Sequence, residues 1–298
     1  MAIQTSHVGS LPRSQKVVDY IFAREKGEDY NEIEFDQVMT EAVNDTVRRQ
    51  KKAGITIVSD GETSKISYAT YVKDRYHGFA GDSPRNAPAD LKKFPNYLQK
   101  LANDGGTPKY ARPMCVSKLE PKKNDDLIKD IDNLKKALKG NDIKKGFMNA
   151  ASPGVISLFL QNDYYPSRED YLEALSNLMQ SEYEMIVKSG LDLQIDCPDL
   201  ALSRHMLFND MTDDEFVKVA SINIESLNNA LRNIPKDRIR IHICWGNYEG
   251  PHVCDISISK MFETLMNVKT GHILFEAANP RHAHEWEVFE EKKNLIPD

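Results

Sequence analysis

His242 and Cys244 lie two residues apart at the end of a short β-branched run, Ile239, Ile241 and Ile243, within RIRIHICWGNYEGPH at residues 238–252. On an extended chain, side chains at i and i+2 leave the same face, so this imidazole and this thiol can converge on one atom. Such a pair suits a borderline-soft ion such as zinc, at roughly 2.0–2.1 Å from nitrogen and 2.3 Å from sulfur. Taken alone, an H-x-C is more often two packed core side chains than a ligand pair. A third donor is therefore needed. Glu276 follows the apolar run 272–275 and is the candidate, although a carboxylate there also serves as a simple polar cap.

Other polar groups end other apolar runs. Residues 55–58 (ITIV) lead into Ser59-Asp60-Gly61-Glu62, two carboxylates around a glycine. They suit a ligand amine or acid/base work, against the alternative of solvated loop acids. Residues 191–195 deliver Asp196 and Cys197, a polar site candidate followed by a thiol that reads more readily as buried filler. Residues 3–8 lead into His7-Val8-Gly9-Ser10-Leu11-Pro12-Arg13, where Ser10 and Arg13 could clamp an anion or where the chain simply turns into a helix. The run 146–151 ends in Ser-Pro-Gly-Val-Ile-Ser.

These runs must be strands, and the intervening segments show the period of helices. Residues 34–53, 125–138, 167–188, 213–232 and 284–293 carry apolar stripes opposite charges, the third with a Ser167-to-Asp170 capping pattern. Six βα units with chemistry gathered at one rim indicate a (β/α)8 barrel. A doubly wound sheet is the rival, but neither GxGxxG nor GxxxxGK[ST] occurs. Six units are two short of closure, so two strands lie in 64–145 or the last two units are missing from this chain. We read one domain over residues 1–298, with a tyrosine-rich insertion at about 64–145. Its first part, 64–110, is a candidate lid, and an accessory strand is expected over 110–119.

Composition narrows the function classes. The 298 residues carry a formal net charge of −6, and no basic stripe with interleaved aromatics is present, which argues against nucleic acid. No apolar run approaches the roughly 18 residues of a membrane helix, and residues 1–10 lack the pattern of a signal peptide. Four scattered cysteines suit a reducing compartment, so a cytoplasmic enzyme is expected.

In order along the chain, HVGSLPRS, DGE, SPGVIS, QIDCPDLAL, HICWGNYEGPH and FEAANPRH resemble the barrel domain of the cobalamin-independent methionine synthase family, including its single-domain relatives and the epoxyalkane:coenzyme M transferases. The resemblance implies a TIM barrel of the methionine synthase/uroporphyrinogen decarboxylase-like type and a catalytic zinc that activates a thiol. His242, Cys244 and Glu276 match the zinc ligands. Val8, Gly9 and Ser10 match the segment that holds the amino-acid thiol, and Glu62 and Asp196 the carboxylates that bind the ammonium of homocysteine. The implied reaction is methyl transfer from a methyltetrahydrofolate-type donor to homocysteine. The family's last zinc cysteine and its histidine proton donor are expected beyond residue 298. Cys197 and Leu202 depart from the family's acidic segment, and the folate-binding tryptophan after SPGVIS is absent, with Phe159 or Tyr164 nearby. Two alternatives follow: alkylation of another thiol by an epoxide or small electrophile, and a binding-only or inactive fragment.

Overall fold

The computed structural model describes residues 3–83, 88–103, 110–123, 125–246 and 250–297. Pro84, the Gly105-Gly106 pair and the 247–249 part of the glycine-rich loop lie outside these residues.

Among the described residues there are six strands: β1 (Tyr76–Ala80), β2 (Met114–Pro121), β3 (Phe147–Ala151), β4 (Asp192–Asp196), β5 (Ile239–Ile243) and β6 (His272–Phe275). The helices are α1 (Gln15–Lys26), α2 (Glu32–Lys52), α3 (Val72–Arg75), α4 (Ala89–Lys92), α5 (Pro95–Asn103), α6 (Asp125–Gly140), α7 (Pro153–Phe159), α8 (Arg168–Lys188), α9 (Ser203–Met206), α10 (Asp213–Ala230), α11 (Ile258–Leu265) and α12 (Trp286–Glu291).

The strands β3, β4, β5 and β6 form a parallel sheet in chain order. The arc continues beyond β3 without regular strands. Val58 bridges Gly146 in parallel, and the amides of Thr56 and Ile57 donate to the Thr5 carbonyl at 3.2 and 3.0 Å. Residues 3–8 and 55–58 therefore occupy the first two places of a six-membered arc, though neither forms the full strand expected of it. The reason is their short contact: a threonine pair, with Thr5 N donating to Thr56 Oγ1 at 2.7 Å, replaces part of the ladder.

The core explains the order. Leu193, Ile195, Ile239 and Ile241 are wholly buried, as parallel strands covered on both faces require. Each such side chain contributes about 1.5–3 kcal/mol on removal from water. Helix α8 covers them with Leu175, Met179, Tyr183 and Ile186, and α10 with Phe216, Ala220, Ile224 and Leu227. A smaller apolar cluster, Val17, Ile21, Phe35, Val38 and Met39, joins α1 to α2. The sequence reading offered α1, which Ser14 caps, only as the alternative to an anion clamp, and missed α11. Ser167 caps α8 through the Asp170 amide, and the full reciprocal capping box stands at Thr212 and Glu215.

The described part of 64–110 is no free flap. Arg75 is buried between Glu182 of α8 and Asp130 of α6, at 2.8 and 2.6 Å, and Tyr71 donates to Glu182 at 2.6 Å. These bonds fasten α3 to α6 and α8, because a guanidinium buried beside two acids is stable there only as their partner. Strand β1 then pairs antiparallel with β2, which starts later than the expected accessory strand. No helix among the described residues is long and apolar enough to cross a membrane.

Candidate functional site

The register of the parallel sheet places the site. Asp196 pairs with Ala151 on one side and His242 on the other, so its carboxylate meets the imidazole at the strand ends, with His242 Nδ1 3.0 Å from Asp196 Oδ1. Asn149 Nδ2 and Gln194 Nε2 also donate to Asp196, at 3.0 and 3.1 Å. The same two amides donate to the Val8 carbonyl at 2.9 and 2.7 Å. Two side chains thus seat the first segment against the acid. Sequence reasoning passed over both, although an asparagine inside FMNAA and a glutamine inside LDLQID are polar residues in otherwise apolar strands, which marked them.

Glu62 comes in from the second segment. Ser10 Oγ donates to its Oε2 at 2.5 Å, and a Cβ on Gly9 would lie 3.7 Å from its Oε1. Its backbone is left-handed, φ 55°, a conformation few side-chain-bearing residues adopt. The preceding Gly61 has φ 66°, and a Cβ there would meet Leu11 and Thr46 at 3.0 Å. Burial pushes the Glu62 carboxyl up to about 7; the charge of Asp196 adds to this, while Lys65 and the Ser10 hydroxyl oppose it. Two buried acids that feel each other's charge repel unless a cation joins them. Arg13 is turned to the main chain. Its Nη2 donates to the carbonyls of Glu62 and Lys65 at 2.6 and 2.7 Å and so braces the turn.

Cys244 follows the last residue of β5. Burial pushes its thiol up to about 12, and the charges of Asp196, Glu276 and Asp255 act in the same direction against a backbone bond from Gly246. Glu276, just past β6, is half-buried and accepts from Asn279 Nδ2 at 3.0 Å. The structure thus brings His242 onto Asp196 and sets Cys244 within the field of Asp196 and Glu276. As the side chains lie, no three His, Cys, Asp or Glu residues among those described are gathered closely enough to hold a metal ion. The donors fit zinc in kind. An imidazole whose Nδ1 is held by a carboxylate presents Nε2, the usual arrangement at metals, and a thiol among carboxylates sits where a cation relieves repulsion.

Beyond Cys244 lies a group that the sequence did not announce. Asp255 meets His205 Nδ1 at 3.1 Å, His252 Nδ1 at 2.9 Å and His282 Nε2 at 2.9 Å. His282 Nδ1 meets Glu285 Oε2 at 2.9 Å. Facing a carboxylate from each nitrogen, His282 carries both protons; its pKa lies at about 9, held up by those two acids against burial. A carboxylate sits at the centre of the three histidines, so the group is a hydrogen-bonded brace.

Aromatic side chains edge the site on the other side. Tyr68 meets Phe159, the last residue of α7, edge-on at 5.8 Å. Its phenol is driven well above the ordinary range, first by burial and then by Cys244, Tyr110 and Asp196, with Arg112 opposing. Of the two residues near the missing tryptophan, Phe159 is thus the one at the site. Tyr164 is half-exposed and packs on Tyr165.

No protein-family model matches the chain. It is similar to the methionine synthase of Thermococcus kodakarensis, 26% identical over 279 residues, covering 93% of this chain and 69% of that protein. It is also similar to the methionine synthase of Saccharolobus solfataricus, 23% identical over 262 residues, covering 87% and 68%. Among solved structures, a B12-independent methionine synthase from Shewanella sp. W3-18-1, in complex with selenomethionine, superposes with TM-score 0.64 at 20% identity, over 90% of this chain and 72% of that one. A Listeria monocytogenes protein assigned as a vitamin-B12-independent methionine synthase superposes with TM-score 0.62 at 16% identity, over 99% and 89%. These likenesses bear out the coarse expectation of fold: a mixed α/β chain with a parallel sheet, built as in those structures.

Proposed function

We propose that this chain is a methyltransferase of the cobalamin-independent methionine synthase kind, moving a methyl group from a methyltetrahydrofolate-type donor to the sulfur of homocysteine. The observation that carries this reading is the meeting of Ser10, Glu62, Asp196 and His242 at one rim beside Cys244. Similarity to proteins named methionine synthase over most of the chain supports it.

The residues divide the work. Glu62 and Asp196 form an acidic pair for an ammonium, which removes their mutual repulsion on binding. Ser10 and the Val8-Gly9 backbone line the amino-acid end, held there by Asn149 and Gln194. Asp196 also fixes the imidazole of His242. A zinc ion held by His242, Cys244 and Glu276 would supply a lowered pKa for the substrate thiol. Burial around Cys244 and Tyr68 keeps water from the reacting sulfur.

The test is methionine formation from homocysteine and 5-methyltetrahydrofolate, with metal content measured on the same purified protein. We expect turnover, about one zinc per chain, and a loss of at least a hundredfold in kcat/KM for Asp196→Asn and Cys244→Ser with folding retained. Wild-type rates in Cys244→Ser would sink the reading. Phe159, standing where the family carries its folate-binding tryptophan, favours one second reading, transfer of an alkyl group from an epoxide to another thiol, as in the epoxyalkane:coenzyme M transferases. Epoxypropane with a panel of thiols separates the two.

A further inference from the structure

Arg75 pairs with Asp130 and Glu182, Arg204 with Asp213 and Arg238 with Asp192. Arg112 pairs with no carboxylate among the described residues, and its Nε is buried without a hydrogen-bond partner. Arg13 and Arg240 share with Arg112 a buried Nε without a partner, but their Nη2 groups donate to the Glu62 and Lys65 carbonyls and to Ser6 Oγ, whereas the Arg112 side chain makes no hydrogen bond among the described residues. The main chain holds it in place: its amide donates to Asp82 Oδ1 at 3.3 Å and its carbonyl accepts from Ser83 at 2.7 Å. Its guanidinium carbon lies 4.9 Å above the Phe159 ring and 5.7 Å from that of Tyr110. Phe159 in turn packs against Tyr68, whose phenol feels the charges of Cys244 and Asp196 and, in the opposite direction, of Arg112.

A guanidinium resting on a ring still presents its N–H groups in its own plane, the shape that takes a carboxylate by a two-point fork. An N–H buried without a partner costs about 1–3 kcal/mol, which an arriving acceptor recovers. Glu62 and Asp196 complement a substrate's cationic end, and the Lys65 amine near them is already taken by the Asn149 carbonyl.

We propose that Arg112 is the anion-binding residue of this site and takes an acid group, carboxylate or sulfonate, of the substrate whose ammonium or sulfur lies at Glu62, Asp196 and Cys244. This deepens the methyl-transfer reading and rests on it for the identity of the substrate. The acid belongs either to the thiol acceptor or to the methyl donor, which carries glutamate carboxylates.

The experiment compares matched ligands by titration calorimetry on the intact chain, without turnover. The thiol pair is homocysteine and 3-aminopropane-1-thiol, which lacks the carboxylate. The donor pair is 5-methyltetrahydrofolate and 5-methyltetrahydropteroate, which lacks the glutamate. Wild type should prefer the acid member of one pair by about ten- to a hundredfold, the range of a charge-assisted bidentate bond. Arg112→Gln should bring that preference within about threefold while leaving affinity for the neutral member unchanged, and Arg112→Lys should fall between. Collapse of the thiol preference assigns Arg112 to the acceptor, and collapse of the donor preference to the donor. A preference that Arg112→Gln leaves intact in both pairs overturns the proposal, as does a wild type with no preference. Circular dichroism and melting curves establish that the variants fold; if Arg112→Gln does not, Arg112→Lys alone decides, an unchanged preference counting against us. Acid-selective binding without methyl transfer keeps Arg112 and removes the proposed reaction; turnover with an Arg112-independent preference does the reverse.

Discussion

Trp245 lies nearly flat on His282, with ring centroids 3.9 Å apart and planes 16° from parallel. Trp245 is the neighbour of Cys244, and its Nε1 donates to the Ile256 carbonyl at 2.7 Å. The stack therefore fixes the backbone that carries the thiol, using an imidazolium caught between Asp255 and Glu285.

That arrangement predicts a pH-dependent stability. A histidine raised from 6.5 to about 9 on folding contributes stability that is complete below about pH 6.5 and fades as pH rises through 9. Urea unfolding should show a loss on the order of 2 kcal/mol between pH 7 and 10 that is absent in His282→Gln. At pH 7 that variant should already be destabilised by about 3 kcal/mol, because two buried acids lose their partner.

Glu62 gives a slope in a lower window. A carboxyl raised from 4.5 to about 7 binds its proton more tightly folded than unfolded, so stability falls as pH climbs from about 4.5 to 7 and then levels. Glu62→Gln removes that loss, so its stability relative to wild type should improve by up to about 3 kcal/mol from pH 4 to 8. Homocysteine binding should strengthen in wild type over the same interval, since only the ionised acid attracts an ammonium. In Glu62→Gln that gain should vanish.

Cys244 offers a chemical test. With its thiol at about 12, metal-free protein at pH 8 holds almost none of it as thiolate. Iodoacetamide followed by peptide mass analysis should label Cys244 at least a hundredfold more slowly than a free thiol in the same solution, and sooner as pH is raised to 10. Rapid labelling at pH 8 would contradict the carboxylate-rich surroundings described here.

Gly154 tests the packing beneath the rim. A Cβ at this residue would fall 2.0 Å from Asp199 Oδ2 and 2.8 Å from Asn223 Nδ2. Asp199 accepts from Ser152 Oγ at 2.5 Å and from Asn223 at 2.9 Å and cannot yield. Gly154→Ala should cost roughly 2–3 kcal/mol or more by overpacking, read from urea midpoints.

Much of this was legible beforehand because parallel strands buried on both faces announce themselves as apolar runs. The runs 146–151, 191–195, 239–243 and 272–275 were all marked in that way, and Glu62, Asp196, His242, Cys244 and Glu276 stood out as the polar residues that stop such runs. The Arg75–Glu182–Asp130 network was not legible, because its members are 107 and 55 residues apart in sequence and each looks like an ordinary surface charge. The Asp255 brace was hidden for the same reason, with partners 50 and 27 residues away. Arg13 misled because a basic residue beside a glycine turn suggests an anion, whereas here it meets two carbonyls. Spacing along β5 gave His242 and Cys244 a common face but set no distance to Glu276 beyond β6, and the described side chains gather no three such donors.

The two amides that clasp the Val8 carbonyl, Asn149 and Gln194, also orient Asp196. Fraying of the amino-terminal segment and occupancy of the acidic pair are therefore reciprocal. A ligand that tightens Asp196 must slow hydrogen exchange at residues 5–10, and loosening those residues must weaken the ligand by the same free energy.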